Sequence, residues 1–501
     1  MATNYYISSF FWSTLSKILT AIVGFISIPL LLGYYGKAEY GILSIATACN
    51  GYMHLLDLGM NIGAVKFFSQ WRAKGDIGKV YRVARTNITF YFIISAVNIV
   101  CLLVLAIWGE RLFAISHEQF LQLRLCLFVL ALFCTLSWGA TTFNQLLIAD
   151  KQMAFTMQVQ CAITLLKVLA IISVFIADFA LTTYFFYLTA IVALAFFPYA
   201  YKCKKDGLID TLKPAWYWQE FKIVLKFSLS IFCLSIFQVT ATQSRPILLS
   251  MFASDGAMAV ADFRIVEVFP QFIIMLCGTF SGIFLPKTSE MVANNDETAI
   301  HTFAYKWTAY TTIITVIMCS PFILCAKEIL SIYVGNEYIY LSKWLVLWCI
   351  TVLIQMHTTP GNALILAYGK TKLLIAITSV SCFISMGINV FLCPFWGVGS
   401  AIIGYFVYVC LVIGVHYTFY YRFVIRLNNL TMLKSFVIPS VLGTVSMAIV
   451  LFINNTLFLY VQNNVLVFVM KYGIWLILYM LLLLYFNQID KKRIKYIIKY
   501  R

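Results

Sequence analysis

Polar positions along this chain come in short bursts, and the bursts separate apolar runs of membrane-crossing length. A helix needs about 20 predominantly apolar residues to cross the hydrocarbon layer. Fourteen windows of that kind are present. They run over 10–33, 40–64, 87–108, 120–149, 157–177, 183–201, 223–253, 259–285, 307–326, 341–368, 373–393, 400–421, 435–454 and 468–486. With the N-terminus placed on the cytoplasmic side, 25 Lys and Arg fall in the inside segments and 3 (Lys37, Arg111, Lys327) in the outside ones. That asymmetry is the positive-inside pattern, and a missed or extra span would scramble it. Both termini are expected in the cytoplasm. The pattern predicts an all-α, polytopic membrane protein with about fourteen transmembrane helices.

Composition agrees. The 501 residues are 62% hydrophobic and 11% charged, with a mean hydropathy of +0.90. A soluble domain carries about 25% charged residues, so this chain cannot cover a water-facing surface. The formal net charge of +17 would suggest nucleic acid in a soluble protein; here orientation in the membrane accounts for it, and no nucleic-acid partner is expected. The 14 Cys are scattered through apolar runs without CxxC or zinc spacing, so they read as small buried hydrophobes. The N-terminus lacks a basic n-region and a small-residue cleavage site, which predicts that the first span is retained.

The chain resembles itself at an offset of about 218 residues. Ile28-Pro29-Leu30-Leu31 matches Arg245-Pro246-Ile247-Leu248, and Glu110-Arg-Leu112 matches Glu328-Ile-Leu330. Thr141-Thr142-Phe-Asn144 matches Thr358-Thr359-Pro-Gly-Asn362. Each match falls at the same topological place in its half. An even number of helices per repeat gives both halves one orientation, the parallel-repeat plan of secondary transporters. The expected organisation is a six-helix lobe over 1–210, a second over 211–430, an extra helix pair over 431–486 and a basic cytoplasmic tail over 487–501. The tail is either a short surface helix or solvated.

The segment 24–76 carries Pro29-Leu-Leu-Leu-Gly33-Tyr-Tyr-Gly36, Glu39-Tyr40-Gly41 and Leu56-Asp57-Leu58-Gly59-Met60, then Gly63-Ala-Val-Lys66 and Gly75-Asp76. This resembles the N-terminal signature of the polysaccharide-export and O-antigen (Wzx-type) flippases, in the MATE-like multidrug/oligosaccharidyl-lipid/polysaccharide superfamily. The resemblance covers about fifty residues in specific motif and nearly the whole chain in architecture. It implies two six-helix lobes around a cavity in a bacterial inner membrane. It also implies alternating-access transfer of an undecaprenyl-diphosphate-linked oligosaccharide, as used for lipopolysaccharide, to the outer leaflet. Membrane lipids, a polysaccharide polymerase and glycosyltransferases are the partners it suggests. The sugar cannot be carried over.

Ionisable side chains at helix centres cost about 2.5–3.5 kcal/mol to insert, so each is a functional candidate. Those well inside the windows are Lys17, Asp57, Lys167, Arg245, Arg264 and Glu267. A diphosphate calls for several cations in a partly dehydrated cavity, and Arg offers a planar fork to phosphate oxygens. Lys17, Arg245 and Arg264 are therefore the expected substrate contacts. Asp57 and Glu267 are candidates for ion coupling or for pairing within the cavity. Pairing alone is the competing reading: Arg264 and Glu267 are i and i+3 on one helix, Lys17 could bridge to Asp57, and Asp57 could cap a helix. Lys167 could snorkel or pair locally. Arg124, Lys226, Lys343 and Lys471 sit near span ends and read as anchors. Pro29 and Pro246 interrupt their helices at matching places, as helices that bend during transport or ordinary tolerated kinks would.

No catalytic residue, metal site or cofactor is expected. Gly369-Lys370-Thr371 lacks the earlier Gly of a P-loop, since Leu364 stands there. The nearest alternative is an ion-coupled multidrug antiporter of the same superfamily, whose cavity should be acidic or aromatic. From another class, a membrane glycosyl polymerase or ligase would need a large outside loop; the longest here, 327–340, is about fourteen residues. The reading is a transporter and not an enzyme.

Overall fold

The computed structural model describes residues 2–457, 463–486 and 488. Among them the secondary structure is helical throughout. The first helix, α1 (Ala2–Met53), breaks at Gly36, whose φ of 80° and ψ of 171° are non-helical. It is followed by a 3-10 turn (His54–Asp57) and α2 (Met60–Ala73). Leu58 and Gly59 sit at φ 50° and 73°, and this left-handed pair redirects the chain between them. The next helices are α3 (Ile77–Trp108), α4 (His117–Ala149), α5 (Met153–Ala177), α6 (Leu181–Ala193) and α7 (Phe196–Lys205).

After the connection to residue 217 come α8 (Trp218–Phe252), α9 (Gly256–Ala293) and α10 (Glu297–Leu324). A short α11 (Ala326–Tyr333) leads to α12 (Ser342–Met356), α13 (Thr359–Ala367), α14 (Lys372–Trp396), α15 (Val398–Val415) and a π-helical turn (His416–Val424). The last two helices are α16 (Asn429–Leu457) and α17 (Asn464–Tyr485). Eleven helices among the described residues are long and apolar enough to cross a membrane. One of these is α1, double by virtue of Gly36. With α8 and α9, of 35 and 38 residues, every window lies on helical segments, but 40–64, 183–201 and 341–368 each cross a break between two helices. The expected tail, 487–501, lies outside the described residues except for Gln488.

Local chemistry sets several helix starts. Ser116 and Gln119 form a reciprocal capping box at α4, with bonds of 3.3 and 2.9 Å. Asp296 accepts from Ala299 N at α10, and Asn463 accepts from Val465 N at α17. Large apolar side chains face outward on many helices, among them Ile176 at 81% exposure, Phe391 at 73% and Phe452 at 84%. Such faces need a lipid solvent.

Contacts divide the chain into two compact units. The first holds the residues up to Ala261 together with Cys393–Gly397, and the second holds Asp262–Leu392 with Val398 onward. Helix α8 packs within the first unit. A Cβ on Gly63 would overlap the Ser228 side chain, so the glycine lets α2 press closely on α8. At the other end of α8, Ala114 N donates to Ser250 O and Gly256 N donates to Ala114 O, each at 2.7 Å. The core of this unit gathers Phe68, Trp71, Val83, Phe143, Cys203 and Phe221. In the second unit, α16 and α17 pack on α10 through Trp475, Tyr479, Val450 and Val316. Lys471 of α17 is buried and joined to Glu328 of α11 at 2.6 Å, so it is an internal ion pair and not the anchor its position in the sequence suggests.

Candidate functional site

Inside the first unit, α1, α4, α5 and α6 surround a cavity of about 440 Å³. Its wall is polar for a membrane-embedded bundle. Asn50, His54, Asn144 and Gln160 contribute amides and an imidazole; Thr47, Ser137, Thr141 and Thr189 contribute hydroxyls. Trp138, Phe185 and Tyr199 supply aromatic surface. Among the lining residues described, Lys167 is the one cation and no carboxylate is present. Asn144 Oδ1 is buried without a hydrogen-bond partner in the chain. Amides, hydroxyls and flat aromatic faces suit a sugar, which presents hydroxyls at its edge and C–H groups on its faces. A lone ammonium adds preference for a negative charge.

The matched motifs of the two halves have different surroundings. Thr141 and Asn144 of the first motif line the cavity. The matching Asn362 is occupied by the protein itself: His416 Nε2 lies 2.6 Å from Asn362 Oδ1. His416 opens the π-helical turn and is 1% exposed. One motif thus borders an open space at its first occurrence and a filled one at its second.

Beside the cavity runs a buried polar chain. Asn87 Nδ2 donates to Gln145 Oε1 (3.1 Å), Gln145 Nε2 donates to the Tyr91 hydroxyl (2.7 Å), and that hydroxyl donates to Asp57 Oδ1 (2.6 Å). The other carboxylate oxygen of Asp57 accepts from Asn61 N at 3.1 Å, capping α2. Trp138 stacks on Tyr91 with ring centroids 5.8 Å apart and touches His54 at 5.3 Å, linking chain and cavity.

The expected site residues are dispersed. Lys17 is exposed on α1, and no ion pair joins it to Asp57 among the described residues. Arg245 is 2% exposed, and its Nε donates to Thr242 O at 3.2 Å. Arg264 and Glu267 meet on one face of α9 at 2.6 Å, with Gln271 also reaching Glu267 at 3.4 Å. Arg245 lies in the first unit, and Arg264 with Glu267 lies in the second. Lys167 faces the cavity, which spacing alone did not reveal. The available signal was the Thr-Thr-Phe-Asn144 motif on the neighbouring helix. Among the described residues, no three His, Cys, Asp or Glu side chains converge as metal ligands would.

A helical bundle of this length, with a polar cavity among lipid-facing helices, defines the class: a multi-pass membrane protein with a transporter fold. The chain belongs to the polysaccharide biosynthesis protein family, whose model matches residues 7–292. No curated protein sequence matches it. Among solved structures, the lipid II flippase MurJ in an inward closed conformation aligns with a TM-score of 0.68 at 13% identity, covering 95% of this chain and 98% of that one. An inward-facing MATE family multidrug resistance transporter of the MOP superfamily aligns at 0.69 and 12% identity, covering 79% and 92%. The MATE multidrug transporter DinF-BH aligns at 0.59 and 14% identity, covering 84% and 95%. Identities this low speak to the fold.

Proposed function

We propose that the protein flips undecaprenyl-diphosphate-linked oligosaccharide units, precursors of O-antigen or another surface polysaccharide, from the inner to the outer leaflet of a bacterial inner membrane. Both termini lie in the cytoplasm in this reading, which the Lys and Arg distribution supports. The observation that carries the reading is the cavity in the family-matching half, polar, aromatic and cationic without a lining carboxylate among the residues described. A cavity for cationic drugs would place its charge the other way. Sugars enter the cavity while the isoprenoid stays in lipid. Lys17, Arg245 and Arg264 are the proposed diphosphate contacts in the transport cycle. Lys17 is exposed and Arg264 has one carboxylate that a phosphate can displace; Arg245 is buried against its own backbone, so its contact requires a rearrangement of α8. Asp57 or Glu267 is the candidate for ion coupling. Delivery by glycosyltransferases and removal by a polymerase would set the direction.

The test is flipping of undecaprenyl-diphosphate-linked oligosaccharide in proteoliposomes containing the purified chain. Translocation above protein-free vesicles is the expected result. Ion-driven dye efflux with no movement of several glycan lipids would assign the chain to drug antiport instead.

A further inference from the structure

A second cationic feature lies at the α2 and α8 end of the first unit. There Lys222, Ile223, Lys226 and Phe227 of α8 form an open cleft of about 430 Å³. The i, i+4 spacing puts both lysines on one face of α8 and both apolar side chains on the adjoining face. The close approach that Gly63 permits sets Lys66, three residues further along α2, against Phe227 at the edge of the cleft. Its ammonium sits 3.6 Å from the centre of the Phe227 ring. Five other cations of this unit already have acidic partners. Lys79 pairs with Asp76 at 2.9 Å, Arg82 with Glu220 at 2.7 Å and Lys202 with Asp206 at 3.0 Å. Arg72 pairs with Asp150 and Arg85 approaches Asp210. No carboxylate pairs with Lys66 or Lys222 among the described residues. Acidic neutralisation therefore does not reach these two.

Depth narrows the choice of ligand. Trp218 precedes Lys222 by one helical turn, and its indole stacks with that of Trp216 at 6.2 Å. Both indoles are about half exposed, at 49% and 47%. Paired, half-exposed Trp side chains belong at the headgroup level of a membrane. Ile223 is 53% exposed in the same cleft. Three ammonium groups over an apolar floor, at headgroup depth, match a lipid with more than one negative charge on a hydrocarbon chain.

We propose that Lys66, Lys222 and Lys226, with Ile223 and Phe227 beneath them, form a docking site for the diphosphate of a polyprenyl lipid before its sugars enter the cavity. This rests on the flippase reading and adds to it a place of loading, in the leaflet facing the Lys- and Arg-rich side. The ammoniums take the phosphate oxygens as point charges, and the first isoprene units lie on Ile223 and Phe227.

The experiment measures binding of sugar-free undecaprenyl diphosphate to the full chain in nanodiscs of neutral lipid, with Lys66→Gln, Lys222→Gln and Lys226→Gln made singly and together. Each single change should weaken binding about fivefold, as expected for one lysine at an anionic surface, and the triple change should nearly abolish it. The three Lys→Arg counterparts should bind as wild type does, and inorganic pyrophosphate should compete poorly because it has no isoprenoid. Wild-type binding that survives in the triple Gln variant would sink the cleft and leave the flippase reading intact. Equal competition by phosphatidylglycerol would reduce the cleft to a general anionic-lipid patch. Failure of the wild type to bind any polyprenyl diphosphate would overturn both.

Discussion

Arg245 donates from Nε to the carbonyl oxygen of Thr242 at 3.2 Å, and this is the carbonyl that Pro246 deprives of its helical donor. In a regular helix, residue 246 would supply that N–H; proline has none. The guanidinium stands in for it, in a position 2% exposed. The same device recurs at Pro321, where the freed carbonyl of Ile317 accepts from Ser320 at 3.1 Å and from Tyr472 at 3.2 Å. Prolines are kept inside membrane helices where a side chain re-satisfies the backbone.

Arg245 therefore has a structural role that any transport role must be separated from. Arg245→Ala should destabilise the protein by about 1–3 kcal/mol, the penalty for a buried carbonyl left without a donor. Pro246→Ala restores the backbone N–H, and the double variant should recover much of the loss in thermal unfolding measured in micelles. Flipping then decides the second role. Recovery of both stability and flipping in the double variant would remove Arg245 from the substrate contacts; recovery of stability alone would keep it there.

Lys167 is the cation of the cavity, so changing its charge should act on substrate and leave the fold alone. Lys167→Gln should raise the apparent KM for an oligosaccharide bearing a uronic acid by about tenfold or more, the value of one charge-assisted hydrogen bond. A neutral oligosaccharide should be affected much less. Equal loss for both substrates, with unchanged thermal stability, would contradict a charge-selective role.

How much of this was legible beforehand depends on which interactions carried the information. Helix positions were legible because lipid imposes a length and a polarity on every span, and Lys and Arg mark its ends. Matching motifs were visible where the chemistry is hard to replace, as at Pro29 with Pro246 and Asn144 with Asn362. Side-chain direction was not legible. Lys17, Arg245 and Arg264 share a depth-and-charge argument, yet one is exposed, one serves its own backbone and one holds Glu267. Lys167 looked like a residue that could snorkel, and only the packing of α4 and α6 around α5 turns it toward a cavity. Lys471 looked like an anchor because Glu328, 143 residues away, is not visible as its partner in the chain order.

Asp57 joins two structural duties, accepting from Tyr91 and capping α2 through Asn61. Asp57→Ala should lose the cap, about 1 kcal/mol, and orphan the Tyr91 hydroxyl, about 1–3 kcal/mol more. Asp57→Asn keeps one oxygen, which can still accept from Asn61 N, while its amide N–H2 can donate to the Tyr91 hydroxyl, so it should cost less stability than Asp57→Ala. If Asp57 exchanges a proton during transport, Asp57→Asn should nonetheless abolish gradient-dependent flipping. Retained flipping in a stable Asp57→Asn variant would confine the residue to its structural duties.

Arg264 and Glu267 are the clearest case for a double-mutant cycle. Their 2.6 Å contact is partly buried, with side chains 25% and 13% exposed. Removal of either partner alone should destabilise the second unit by more than removal of both, because each single change strands a partly buried charge. Glu267→Gln releases Arg264 from its carboxylate and, if Arg264 grips diphosphate, should tighten binding of the glycan lipid. Arg264→Ala should then weaken binding whichever residue stands at 267. A pair that is only structural gives a different pattern: the Arg264→Ala/Glu267→Ala variant regains both stability and flipping, and Glu267→Gln leaves affinity unchanged.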